Sequence, residues 1–296
     1  YSTSRSRGGR SVFLKQVILH GHIFKNAGTT LDWALERSFG EAFVDHRRDD
    51  LMRAQGQAHI RDILAEQSGL QAISSHHMPG DVSDDPGFHF HRVYLLRHPI
   101  LRIRSVYDFE RKQDAQTPGA VAAKRMAFSE YVEWRMRPKV APTIRNFQSR
   151  YLAGRLPPRY EKCADLEYFE LAMQTLEHVP CVGIVESYDE SMVLFEHLLG
   201  GNFPELDLAH TPQNVSGNGL SKLDHDERVS RLMGQLGKLR ARVLEANSFD
   251  LALYEAARHR FTQSVESIDD FSDRLQRFKK RCAKLSGRKG LAFFGR

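Results

Sequence analysis

The stretch from Val17 to Gly40 constrains the fold of this chain more than any other. It begins as a short apolar, β-branched run, Val17 to Phe24, which reads as a buried strand stopping at Lys25-Asn26-Ala27-Gly28. From Thr29 the period changes: Leu31, Trp33, Ala34, Leu35 and Phe39 recur at helical spacing until Gly40, a suitable C-cap. A buried strand, a tight loop and a helix in succession form the unit of a parallel sheet, because the crossover helix returns the chain over one face of the strands.

The same alternation recurs. Leu70 to Ser74 and Arg92 to Leu96 read as strands, Pro99 opens a helix over Ile100 to Lys112, and Cys181 to Val185 is a strand followed by a helix from Tyr188 to Leu199. These units predict an α/β fold, a P-loop-type central parallel β-sheet flanked by helices. Apolar spacing near 3.6 over Phe128 to Trp134, Thr143 to Leu152, Leu166 to Leu176, Lys222 to Leu239, Val243 to Arg258 and Arg260 to Lys284 makes the C-terminal half helix-rich. Gly80 to Gly87, Thr117 to Ala120 and Pro204 to Gly219 read as loops.

With 296 residues, 41% of them apolar, the chain can bury a full core. The expected division is a flexible arm over 1–14, one principal domain over 15–260, and a basic C-terminal helix and tail over 261–296. That last segment reads either as a frayed helix with a solvated face or as a contact for an acidic partner or membrane surface.

Lys plus Arg total 43 against 37 Asp plus Glu, a net charge of +6. This suits an anionic ligand such as a nucleotide or acidic glycan and is too small to require nucleic acid; it equally fits an ordinary solvated surface. Cys163, Cys181 and Cys282 lie far apart, without C-x-x-C spacing, and Cys181 reads as a core residue. No run of 18 apolar residues is present, so no membrane span is expected in the chain. A cytoplasmic location is expected, or the Golgi lumen if an anchor precedes Tyr1; the oligomeric state is left open.

Two segments carry the chemistry. In the first, a strand-to-helix loop aims backbone N–H groups at the space above the helix N-terminus, where the dipole favours an anion. Gly28 permits close approach, Thr29 and Thr30 add hydroxyls, and Lys25 adds a charge. The order differs from G-x-x-x-x-G-K-[ST], since Lys25 precedes Gly28, so the hydroxyl that would hold Mg²⁺ lacks its context and metal-independent transfer is expected. In the second, Arg97 closes a strand at its C-terminal end, and Ser105 lies about two turns into the following helix. Arg offers a bidentate fork for a phosphate and Ser a further donor, which implies a ligand with phosphates at both ends.

Lys25-x-x-Gly28-Thr29-Thr30 resembles the 5′-phosphosulfate loop of sulfotransferases that use 3′-phosphoadenosine 5′-phosphosulfate (PAPS). Leu96-Arg97-His98-Pro99-x-x-Arg102-x-x-Ser105-x-Tyr107 resembles their 3′-phosphate motif. Asn146 to Gly154, Val182 to Glu186 with Tyr188, and Asn247-x-x-Asp250-x-x-Leu253-Tyr254 extend the resemblance over roughly residues 15 to 260. It is to the carbohydrate-type branch, which includes the heparan 2-O-sulfotransferases and bacterial relatives. The resemblance implies PAPS as cofactor and 3′,5′-bisphosphoadenosine (PAP) as product. It places Lys25, Asn26, Ala27, Gly28, Thr29 and Thr30 at the 5′ end, with Lys25 against the leaving phosphate, and Arg97 and Ser105 at the 3′-phosphate. Phe24 stands where the family usually has Pro.

Transfer to a hydroxyl needs a base, for which His is suited by its pKa. Ser74-Ser75-His76-His77 resembles the family's Gly-His segment, and the resemblance gives His76 that role, with His77 as the alternative. The implied reaction is in-line transfer of the sulfuryl group of PAPS to an acceptor hydroxyl, most readily of a carbohydrate. Alternatives are an ATP-dependent P-loop phosphotransferase and a non-catalytic polyanion-binding relative.

Other residues have competing readings. His20-Gly21-His22 and His89-Phe90-His91 have metal-ligand spacing, but without a third ligand a structural role is expected and no metal site is assigned. His98 is expected to shape its turn. Glu186 either orients the base or acceptor or is a strand-end carboxylate. Asn146 and Gln148 either reach an acceptor sugar or lie on a helix surface. Arg135, Arg137, Lys139 and Arg145 either meet an anionic acceptor or face solvent.

Overall fold

Five strands, β1 (Lys15–Gly21), β2 (Phe43–His46), β3 (Ala72–Ser75), β4 (Phe88–Leu96) and β5 (Cys181–Ile184), form one sheet in the order β2-β3-β1-β4-β5 with every pairing parallel. This computed structural model describes residues 14–154, 165–211 and 223–293, the last six by backbone alone. Leaving β1, the chain runs out to β2, returns through β3, then passes β1 to β4 and β5. The strand order therefore reverses between β1 and β4, whose C-terminal ends frame a crevice.

Helix α1 (Gly28–Phe39) joins β1 to β2, and α2 (Asp49–Gln55) and α3 (Gln57–Glu66) join β2 to β3. Between β4 and β5 come α4 (Pro99–Lys112), α5 (Pro118–Arg125), α6 (Phe128–Arg135), α7 (Phe147–Leu152) and α8 (Asp165–His178). After β5 follow α9 (Tyr188–Leu199), α10 (His225–Leu236), α11 (Arg240–Glu245), α12 (Ser248–Glu266) and α13 (Phe271–Phe293).

Successive residues of β1 pack on opposite faces, as a pleated strand requires. Ile18, with Ala72, Val93, Leu95 and Cys181, packs against α1, α9 and Phe278 of α13. Val17 and Leu19, with Ile73 and Phe90, pack against Met52 of α2 and Ile60, Ile63 and Leu64 of α3. Farther along that face, Tyr94, Leu96, Val182 and Ile184 meet α8 and α12. A further cluster joins α4 to α5, α6, α10 and α11. Both faces of the sheet are covered, so the strands are apolar on both sides.

Several expectations are corrected. The first strand ends at Gly21 rather than Phe24, because His22 to Ala27 turn over the sheet edge. Thr117 is an N-cap for α5, its hydroxyl accepting from Ala120 N–H, rather than part of a loop. The helix expected over Val243 to Arg258 breaks at Ala246-Asn247, and that over Arg260 to Lys284 breaks before Phe271.

Residue 260 lies inside α12. Helix α13 is not frayed: Phe278 is fully buried, and Arg281 reaches Glu196 at 2.6 Å and also pairs with Asp207. Cys181 is buried as expected, and its thiol is pushed up to about 12 by burial. The arm at 1–13, Cys163, Lys222 and the loop portion 212–219 lie outside the described residues.

Candidate functional site

The loop after β1 has an unusual backbone. Lys25 (φ 66°) and Ala27 (φ 60°) both occupy the left-handed region, which costs roughly 1 kcal/mol or more for a residue with a side chain and persists only where surroundings impose it. Two arginines supply the constraint. Arg102 Nε donates to Phe24 O at 3.0 Å, and Arg97 Nη1 donates to Lys25 O at 3.1 Å. With these successive carbonyls drawn toward α4, the loop is held in its turned conformation. Ala27 offers no side-chain cap to α1, and no hydrogen bond among the described residues takes up the amides of Lys25, Ala27, Gly28 or Thr29. An uncapped helix N-terminus with free amides is an anion site in its electrostatics.

Lys25 lies beside this N-terminus with its ammonium 4.1 Å from the centroid of the Phe109 ring. Burial, with Arg97 and Arg102 nearby, lowers its pKa to about 8. Phe24, at the position where the resemblance leads one to expect Pro, packs its ring edge-on to Phe109 at 5.4 Å, anchoring the loop by side-chain contact. Thr29 is exposed at the start of α1, and Thr30 turns inward. Asn26 is buried, its Nδ2 donating to Leu95 O and to Gln148 Oε1, both at 2.7 Å.

Gln148 connects the two segments. Its Oε1 also accepts from Arg97 N at 2.9 Å, and its Nε2 donates to Arg97 O at 2.9 Å. Gln148 is fully buried and Asn146 nearly so, which excludes for both the acceptor-contact and helix-surface readings. Asn146 adopts φ 40° before α7, while Asp250 accepts from Gln148 N at 2.9 Å and Ser149 N at 2.8 Å, capping that helix. Asp250 thereby fixes Gln148, and Gln148 fixes both Asn26 and Arg97.

Arg97 keeps a side chain about one-quarter exposed, with its Nε 3.8 Å from Glu186 Oε1. Glu186 also accepts from His98 N at 3.3 Å and Tyr254 OH at 3.0 Å, so it braces Arg97 and the start of α4 rather than the base. His98 is the N-cap residue of α4, as its turn-shaping role required, and burial with His225 alongside lowers its pKa to about 4. Ser105 is buried on α4, roughly 9 Å along the axis from Pro99.

His76 follows β3 at the same edge of the sheet. Its Nδ1 donates to His22 O at 2.9 Å, leaving Nε2 with the lone pair. Burial, then the neighbouring His22, lowers its pKa below the ordinary 6.5, so the ring is neutral near pH 7. His77 turns toward Asp49, Nε2 to Oδ2 3.6 Å, and lacks such a bond to the loop.

His20, His22 and Asp32 form, among the described residues, a buried group whose ligand-type atoms lie within 4.8 Å of one another. Asp32 Oδ1 and Oδ2 accept from the Nδ1 atoms of His20 and His22, each at 2.7 Å. Burial opposes the charge on Asp32, but the two imidazoles hold its carboxyl well below the usual range. Asp32 is a residue that sequence reasoning missed: its signal is the spacing of one helical turn from Gly28, which puts it on the same side of α1. Arg102 was also missed as a loop anchor, although it stands within the same motif as Arg97.

His89 bonds Asp84 at 2.6 Å and His91 bonds Gln16 at 2.7 Å, consistent with structural roles. Arg135 does not face solvent: it is buried against Glu110 and Tyr131. A separate cavity of about 400 Å³ is lined by Val140, Pro142, Arg145, Arg150 and Asp165; of the residues with competing readings it holds Arg145, and it holds none of the anion-loop residues, Arg97, Ser105 or His76.

No family model matches the chain. A protein of Archaeoglobus fulgidus described as an uncharacterized protein is 31% identical to it over 245 residues, covering 81% of this chain and 94% of that protein. The chain belongs to the same family. Among the described residues no helix is long and apolar enough to cross a membrane.

Proposed function

We propose that the chain is a PAPS-dependent sulfotransferase that moves a sulfuryl group in line onto an acceptor hydroxyl, most readily of a carbohydrate. The observation that carries this reading is the convergence, at the strand-order switch, of two separate donor-bearing segments tied together through Gln148. Among the described residues, one segment offers amides without partners at an uncapped helix N-terminus, and the other offers Arg97, whose buried Nε has no hydrogen-bond partner. These donors fit a nucleotide bearing phosphate at both its 5′ and 3′ sides.

When bound, the cofactor supplies a sulfuryl group attached to a phosphate that can leave. The amides of Ala27 to Thr29 and the hydroxyls of Thr29 and Thr30 would hold the 5′ end, and Arg97 with Ser105 the 3′-phosphate. Lys25, as ammonium, would stabilise the charge that develops on the departing phosphate, and its partly desolvated setting strengthens that interaction. His76 Nε2 would take the proton of the acceptor hydroxyl, since its Nδ1 is committed to His22 O.

The test is transfer of labelled sulfate from PAPS to a panel of glycans, phenols and alcohols, with PAP and Mg²⁺-ATP binding measured in parallel. Expected are sulfation of a carbohydrate hydroxyl, loss of turnover on the order of 10²-fold or more in His76→Ala, and tighter binding of PAP than of ATP. Full activity in His76→Ala removes His76 as base. Preference for Mg²⁺-ATP overturns the assignment of Arg97 and Ser105 in favour of a phosphotransferase.

A further inference from the structure

The buried His20–Asp32–His22 cluster adjoins the site without belonging to either donor-bearing segment. His22 touches three of its neighbours at once. Its Nδ1 donates to Asp32 Oδ2 at 2.7 Å, its carbonyl accepts from His76 Nδ1 at 2.9 Å, and its ring lies 4.1 Å from the His76 ring, centroid to centroid. On its other side the ring fills the space where a side chain at residue 28 would stand: a Cβ on Gly28 would lie 2.7 Å from His22 Cγ. The imidazole is therefore a spacer between the first residue of α1 and the proposed base.

The spacer cannot turn freely. Both carboxylate oxygens of Asp32 are used, one by each histidine, and His20 also meets Ser74 Oγ at 3.1 Å. An ionised carboxylate only accepts, so both imidazoles carry their proton on Nδ1. Asp32 sits on α1 one turn beyond Gly28, so the helix that presents the free amides also carries the clamp.

We propose that His22, clamped by Asp32, is a positioning residue that sets the ring plane and tautomer of His76 relative to the anion loop; its catalytic consequence rests on the sulfuryl-transfer reading above. Each contact has a defined job. The His22 ring holds the His76 imidazole at the tilt at which its Nδ1–H meets the His22 carbonyl, so the proton stays on Nδ1 only while that ring is in position, and Asp32 keeps the His22 ring in place.

Two variants test it. Asp32→Asn replaces an acceptor oxygen with a donor, so one imidazole must lose its bond or change tautomer. His22→Asn keeps a short donor toward Asp32 and the carbonyl toward His76 but removes the ring. The readouts are the ¹⁵N NMR tautomer of His76, PAP affinity, and kcat and KM for sulfate transfer. Expected for both is a shift of His76 from a single Nδ1–H form to a mixture. With it comes a kcat loss on the order of 10²-fold, of the size that misplacing a reacting group by about 1 Å produces. PAP affinity changes by less than about threefold, since the loop anchors are untouched. Ser74→Ala, which disturbs the same cluster without reaching His22, leaves the His76 tautomer and kcat unaltered.

A pure Nδ1–H form of His76 and unchanged kcat in folded variants would overturn the proposal. Should Asp32→Asn not fold, His22→Asn decides it. If the wild type sulfates no acceptor, the functional reading falls, and the tautomer measurement still accepts or rejects the clamp.

Discussion

Gln148→Leu tests the connection between the two segments and separates it from simple packing. Leucine has nearly the volume of glutamine, so the substitution removes hydrogen bonds without opening a large cavity. Arg97 would lose partners for both its N–H and its C=O, while Asn26 would keep only its bond to Leu95 O. Each orphaned buried backbone group costs about 1–3 kcal/mol. Arg97 is only half-buried, so the lower part of that range applies to it. With the two Arg97 groups at about 1–1.5 kcal/mol each and the orphaned buried Asn26 N–H at about 2 kcal/mol, the gross loss is about 4–5 kcal/mol; the apolar side chain returns up to about 2 kcal/mol by its own burial, leaving a net loss of about 2–3 kcal/mol. For a chain of this size that corresponds to a fall in Tm of about 4–12 °C. The Asp250 cap on α7 bonds the backbone of residue 148 and is unaffected, so the helix should persist by circular dichroism. With Arg97 and Asn26 no longer held, PAP affinity should weaken about tenfold, equivalent to about 1.4 kcal/mol. Urea denaturation and calorimetric titration with PAP measure the two effects. A stability loss below about 1 kcal/mol together with unchanged PAP affinity would refute the view that Gln148 unites the segments.

The pH profile and the C-terminal helix supply the remaining predictions. His76 must be neutral to accept a proton and its pKa lies below 6.5, whereas the Lys25 ammonium is lost as pH rises through about 8. The profile of kcat/KM should therefore be flat from about 6.5 to 8 with an alkaline limb near 8. Lys25→Arg should move that limb upward, and a limb that stays near 8 in the variant would assign it to another group. Phe278 is fully buried in the cluster shared with α1 and α9, so Phe278→Ala should cost about 3–5 kcal/mol in urea denaturation. Wild-type stability in that variant would show α13 to be an appendage.

The elements that were legible in the sequence are those with a sustained period and clear punctuation. Tyr188 to Leu199 forms a helix with both ends as expected, and Pro99 opens α4 where its ring favours the first turn. β2 was not legible, because Phe43-Val44-Asp45-His46 is four half-buried residues at an edge of the sheet, too short for a period to appear. Residues 49–66 form two short helices separated by Gly56 at φ 57°, a break that hides their common apolar side. In the site, the strand, tight turn and helix around Lys25 to Thr30 were readable because their punctuation is local. Asn146 and Gln148 were not: an amide carries no mark of whether it faces a sugar, the solvent or two distant backbone groups. Arg135 was misread for a related reason, since its partners Glu110 and Tyr131 lie on other turns and another helix.

What brings the distant partners together is strand register, which depends on pairing rather than on local sequence. Gly21 at the end of β1 pairs with Ser75 on one side and Tyr94 on the other. One residue farther along, the same register sets His22 beside His76, where the carbonyl-to-imidazole bond forms. On the other side β4 runs on past Tyr94 to Leu96, and Arg97 at its end reaches back with its guanidinium to Lys25 O of the loop. Leu96 pairs with Ile184, and the continuation of that register brings His98 to Glu186. The proposed base, the anion loop and the brace on Arg97 are thus extensions of three parallel ladders past the ends of their strands. A slip by one residue in either pairing of β1 would turn a side chain to the other face and separate the loop from its partners. The site's geometry is therefore as well determined as the sheet itself, and Gln148 adds the cross-tie that the ladders, which end at Gly21 and Leu96, do not provide.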